Sequence, residues 1–68
     1  MQITDSSEIE SVIDEVINEN LNQAKTYDPE NPRILDFFVG QVMKKTRGKA
    51  NPAMSREMLA KKLEELVK

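Results

Sequence analysis

Phe37-Phe38-Val39-Gly40-Gln41-Val42-Met43-Lys44-Lys45-Thr46-Arg47-Gly48-Lys49-Ala50-Asn51-Pro52 reads as the end of one helix, a basic turn and the start of the next. Phe38, Val39, Val42 and Met43 form an apolar stripe at helical spacing. Lys44, Lys45 and Arg47 crowd the last turn, and Gly48 can take the left-handed conformation that closes a helix. Asn51 can cap a new helix with Pro52 at its first position, where a missing N–H costs nothing. Gly40 inside this helix costs about 1 kcal/mol relative to alanine, which the close approach of another helix could offset. These sixteen residues encode a helix–loop–helix elbow with a cationic bend.

The same helix, followed back, carries Ile34 and Leu35 on its apolar face and starts at Asn31-Pro32, a second cap-and-proline pair. Asp28-Pro29-Glu30-Asn31-Pro32 is a break between helical patterns. Before it, Ile9, Val12, Ile13, Val16 and Ile17 recur at i, i+3, i+4, i+7 and i+8, with acids between them. That helix begins near Asp5 or Ser6, where Asp5 and Glu8 have capping-box spacing. Asn20 is expected to end it and to cap a short second helix through Leu21, Ala24 and Tyr27. After Pro52 a last helix runs to the end, with Met54, Met58, Leu59, Leu63 and Leu66 inward and Lys61, Lys62, Glu64 and Glu65 in water. No alternating strand pattern and no internal repeat occurs. The expected fold is all-α, one domain over residues 1–68: a small bundle of three main helices with the short one in addition.

With 68 residues and no cysteine, the chain must hold together by packing apolar faces, and a domain this small is marginal. Lack of cysteine argues against a disulfide-rich secreted scaffold and fits a cytoplasmic location. No apolar run approaches the roughly 18 residues of a membrane span, and Met1 is followed by polar residues rather than a signal pattern. The net charge of −2 is unevenly spread: residues 1–31 carry −7 and residues 32–68 carry +5. Such asymmetry suits an anionic partner for the second half, or attraction between the halves across the fold. The four methionines read as adaptable core filler.

Much chemistry is excluded. There is no histidine and no cysteine for acid–base, nucleophilic or transition-metal work. Ser6, Ser7 and Ser55 have no histidine to activate them and read as capping or surface residues. Glu10 and Asp14 pair at i, i+4 on a solvated face, without the apolar walls that would perturb a pKa. The acids lack the spacing of an EF-hand, and Gly48-Lys49 lacks the upstream glycine and strand of a phosphate loop. The elbow remains, and it has two readings. Cations at a helix end stabilise its dipole, which is commonplace. Lys44, Lys45, Arg47 and Lys49 beside a helix N-terminus also suit phosphate oxygens.

Phe37-Phe38-Val39-Gly40-Gln41-Val42-Met43-Lys44 followed by Gly48-Lys49-Ala50-Asn51-Pro52 resembles the C-terminal tail domain of the GatB subunit of the aspartyl/glutamyl-tRNA amidotransferases, the GatB/GatE/YqeY family. Ile13-Asp14-Glu15-Val16-Ile17 is similar to that domain's opening helix, so the likeness spans nearly the whole chain. The chain departs from the family pattern at the acidic, rigid 28–33 connection and at Asp36, where a small residue is usual; the elbow is unaffected.

The resemblance implies a non-catalytic helical tail, a piece of a larger polypeptide, that helps the enzyme grip misacylated tRNA. The parent enzyme amidates Glu-tRNA(Gln) or Asp-tRNA(Asn) with glutamine as donor. ATP and Mg2+ would act in a separate catalytic domain, leaving no cofactor, metal or small-molecule substrate here. On this reading Lys44, Lys45, Arg47 and Lys49 contact phosphate or sugar, and Asn51 mainly caps. Phe37 is the one aromatic that could sit at the rim, but it is expected in the core, because aromatics dominate packing. The implied partners are tRNA and the other domains and subunits of the amidotransferase, not a membrane. The alternatives are a protein–protein docking module, using apolar surface around Met54 and Met58, and a free-standing YqeY-like protein.

Overall fold

Helices α1 (Ser6–Glu19), α2 (Leu21–Lys25), α3 (Pro32–Lys45) and α4 (Pro52–Leu66) follow one another in the computed structural model, which describes residues 5–68. No strand occurs among the described residues, so the all-α bundle with three main helices and one short one is the observed fold.

The caps set the boundaries. Asp5 accepts a hydrogen bond from the Ser7 N–H at 2.9 Å and opens α1. Asn31 accepts from the Arg33 N–H at 3.1 Å, with Pro32 leading α3. Asn51 accepts from the Met54 N–H at 3.1 Å, with Pro52 leading α4. Each cap satisfies a helix-end donor that would otherwise lack a partner. Asn20 behaves differently: its side chain donates back to the Val16 carbonyl at 2.9 Å and does not cap α2. Between α2 and α3, Asp28 closes a turn, accepting from Asn31 N–H through its carbonyl and from Glu30 N–H through its carboxylate.

α3 packs on α4, α1 lies against both, and α2 touches α1 and α4. Ile9, Ile13 and Val16 from α1, Phe38 and Val42 from α3, and Leu59 and Leu63 from α4 are almost wholly buried. Full burial of such a side chain contributes about 1.5–3 kcal/mol. Ile34, Leu35, Val39, Met43, Met54 and Met58 pack half-buried around this centre, which bears out the reading of these three methionines as filler; Met1 lies outside the described residues.

Several expectations fail for local reasons. Phe37 is not core: it is 36% exposed, because neighbours on a helix diverge by about 100° and Phe38 takes the inward place. Leu66, in the last turn of α4, is 43% exposed. Ser55 is fully buried, with its hydroxyl donating to the Asn51 carbonyl at 2.8 Å. That bond removes the penalty for burying it. Ala50, in the connection before α4, is also fully buried. Gly40 meets no close helix: a Cβ built there would have nothing within 4 Å. Lys62 is not simply in water but pairs with α1.

Candidate nucleic-acid interface

The elbow is a tightly bonded turn. The Arg47 N–H donates to the Lys44 carbonyl at 3.2 Å and the Gly48 N–H to the Met43 carbonyl at 2.7 Å. This pairing is a Schellman closure, which satisfies the last carbonyls of α3. Counting back from those bonds puts Arg47, not Gly48, at the first left-handed position, with φ 56° at Arg47 and 76° at Gly48. A left-handed arginine is uncommon and strained by roughly 1–2 kcal/mol relative to its right-handed form. Thr46 locks the bend: its hydroxyl donates to the Val42 carbonyl at 2.9 Å and accepts from the Ala50 N–H at 3.2 Å. The sequence gives no direct sign of that latch.

The five candidate residues divide by environment. Lys44, Arg47 and Lys49 are exposed, and among the described residues none forms an ion pair. Lys45 faces α1, with Nζ 2.7 Å from Glu19 and 3.3 Å from Glu15. The Glu19 hydrogen bond holds its ammonium above the ordinary lysine range, with Glu15 adding to the effect. Asn51 is half-buried and committed to Met54. Pro52 has no N–H, so in the first turn of α4 only the Ala53 donor lacks a partner among the described residues. The start of α4 therefore offers little to an anion, and the exposed cations carry the site.

The acids of α1 follow one rule. Glu15 and Glu19, one turn apart, clamp Lys45 of α3. Glu10 and Asp14, also one turn apart, clamp Lys62 of α4 at 3.5 and 2.8 Å. The Asp14 hydrogen bond raises the Lys62 pKa. On α4, Arg56 pairs with Asp36 of α3. Attraction between the acidic and basic halves is thus real, but among the described residues it uses only Lys45 and Lys62, since Arg56 and Asp36 both belong to the basic half. A shallow groove of about 290 Å³ lies beside the first clamp, lined by Val16, Glu19, Gln41, Lys44 and Lys45.

The family model described as the GatB domain matches residues 1–63. The chain belongs to the GatB/YqeY domain family. It is similar to the GatB subunit of the aspartyl/glutamyl-tRNA(Asn/Gln) amidotransferase of Nitratidesulfovibrio vulgaris, with 54% identity over 63 residues, covering 93% of this chain and 13% of that protein. The corresponding Coxiella burnetii protein is 50% identical over 62 residues, covering 91% and 13%. That of Oleidesulfovibrio alaskensis is 48% identical over 63 residues, covering 93% and 13%. The chain thus spans 13% of the length of these relatives. No solved structure matches it. Among the described residues no helix of this GatB/YqeY domain is long and apolar enough to cross a membrane.

Proposed function

We propose that this domain is a non-catalytic tRNA-binding module, serving a tRNA-dependent amidotransferase in the cytoplasm. The observation that carries the reading is the set of exposed cations Lys44, Arg47 and Lys49, unpaired among the described residues, at the elbow of a GatB/YqeY domain. Basic side chains on a rigid turn suit phosphate oxygens and orient a nucleic acid without reading much sequence. Structured RNA is commonly recognised by shape and backbone. Lys45 joins this set only by leaving Glu15 and Glu19, so its role in the module is structural first; Asn51 contributes as a cap.

On this reading the 68 residues are one tail domain of a GatB-like protein. Its partners are tRNA and the remaining domains and subunits. ATP, Mg2+ and the amidation of Glu-tRNA(Gln) or Asp-tRNA(Asn) belong to a catalytic domain elsewhere. Docking against another protein is a second reading, supported by the exposed Leu21 and Leu66 rather than by the half-buried Met54 and Met58.

The test is the double variant Lys44→Ala/Lys49→Ala, titrated with a tRNA transcript at two salt concentrations. Affinity should fall, and the salt dependence should flatten by about 0.9 for each phosphate no longer neutralised. An unchanged affinity rejects the elbow as the site.

A further inference from the structure

We propose that the outward face of α3 is a track for an unpaired RNA segment, whose sugar–phosphate backbone crosses the helix at Gly40 and stacks a base on Phe37. This rests on the tRNA-binding reading and adds a binding surface beside the elbow. At Gly40 and Arg47 the chain departs from what its fold alone favours. Gly40 lies inside α3, is exposed, has no positive φ, and a side chain there would meet nothing within 4 Å. Alanine would hold that helix better. Without a side chain at this point the helix backbone leaves room for a group that comes close from outside.

Phe37, one turn earlier, is 36% exposed. Its ring rests edge-on against the buried Phe38, with centroids 5.3 Å apart and planes at 81°. A ring so supported presents a surface that needs little ordering when a base stacks on it. Lys44, one turn after Gly40, is exposed. Arg47, just past the helix, is held in the left-handed region where glycine or asparagine is easier.

Helical phase brings these together. Phe37, Gly40 and Lys44 stand at i, i+3 and i+7 and share one stripe. α1 lies to one side of it, reached by Lys45, and α4 to the other, reached by Asp36 through Arg56. Charge then selects the partner. Lys44 and Arg47 are uncommitted, whereas the flanking acids are already paired, Glu15 and Glu19 with Lys45 and Asp36 with Arg56. The surface offers net positive charge, one aromatic platform and a gap between them. That combination fits a polyanion with flat bases better than an apolar protein helix.

The experiment is a chemical-shift titration of the 15N-labelled 68-residue chain with a tRNA(Gln) transcript, for the wild type, Gly40→Leu and Phe37→Leu, each with a melting curve. The wild type should show shifts at Phe37, Gly40, Gln41 and Lys44. Gly40→Leu should melt at a higher temperature yet bind about tenfold more weakly, and Phe37→Leu should lose about tenfold. Wild-type shifts confined to residues 46–53, with Gly40→Leu binding unchanged, overturn the track while leaving the tRNA reading standing. No wild-type shifts with tRNA overturn both.

Discussion

Replacing Arg47 by glycine separates what this residue does for the fold from what it does for a ligand. Its backbone sits at φ 56°, a conformation that costs a non-glycine residue roughly 1–2 kcal/mol. Glycine removes that strain but loses about 0.5–1 kcal/mol through greater freedom in the unfolded chain. The guanidinium also lies beyond the last turn of α3, where a cation gains at least about 0.3 kcal/mol from the helix dipole. At about 0.5 M salt that electrostatic gain is largely screened. The net expectation at high salt is therefore a stabilisation of about 0–1.5 kcal/mol, whose midpoint for a domain of this size raises Tm by about 3–6 °C. Thermal unfolding followed by circular dichroism measures it. The same variant should bind tRNA more weakly, with a salt slope shallower by about 0.9. A lower Tm at high salt refutes the reasoning, because Arg47 would then be making a stabilising interaction instead of bearing strain.

Three further outcomes follow from the packing and the charges. Phe38→Ala should cost about 3–5 kcal/mol, a large share of the roughly 3–10 kcal/mol available to a domain this small, and circular dichroism should show Tm lowered by at least about 12 °C. Asn51→Ala should lose about 1 kcal/mol and lower Tm by about 4–8 °C, while tRNA affinity, corrected for the folded fraction, stays unchanged if the side chain only caps. Alkali should weaken the fold: Tyr27 is raised above 10.0 first by burial and then by Glu64, and Lys45 and Lys62 are raised above 10.5 first by their Glu19 and Asp14 hydrogen bonds. Each raised group supports the fold fully below its unfolded pKa and loses that support as pH climbs through its folded one. Urea midpoints should therefore hold steady to about pH 9.5 and fall above about pH 10; a midpoint that rises there contradicts the assignment.

Features set by local chemistry were legible in the sequence. Asn31-Pro32 and Asn51-Pro52 mark the starts of α3 and α4 because a side-chain acceptor followed by a residue with no N–H suits a helix entry whatever surrounds it. The inward face of α1 followed from spacing alone. What escaped depended on neighbours in space. Ser55 and Ala50 are buried by the helices packed around them, the Ser55 hydroxyl being satisfied by the Asn51 carbonyl; neither leaves a periodic signal. Spacing with Ile34, Leu35 and Val42 puts Phe38 inward, but how far Phe37, at the edge of that face, is covered depends on where α1 and α4 lie.

The candidate site shows the same division. Sequence finds the cluster of cations, but only the fold separates Lys45, clamped by Glu15 and Glu19, from Lys44, Arg47 and Lys49. The left-handed state of Arg47 also required the hydrogen-bond pattern, since Gly48 is the more obvious residue for that role.

The location of the positive charge, rather than its amount, is the central claim, and two triple variants with equal charge loss test it. One replaces Lys44, Arg47 and Lys49 by alanine; the other replaces the exposed Lys25, Lys61 and Lys68. At low salt the elbow variant should bind a tRNA transcript at least about tenfold more weakly than wild type, with its salt slope reduced by up to about 2.7. The distal variant should stay within about threefold. Equal losses from the two would contradict the account, leaving only a diffuse attraction between a polyanion and any lysine on the surface.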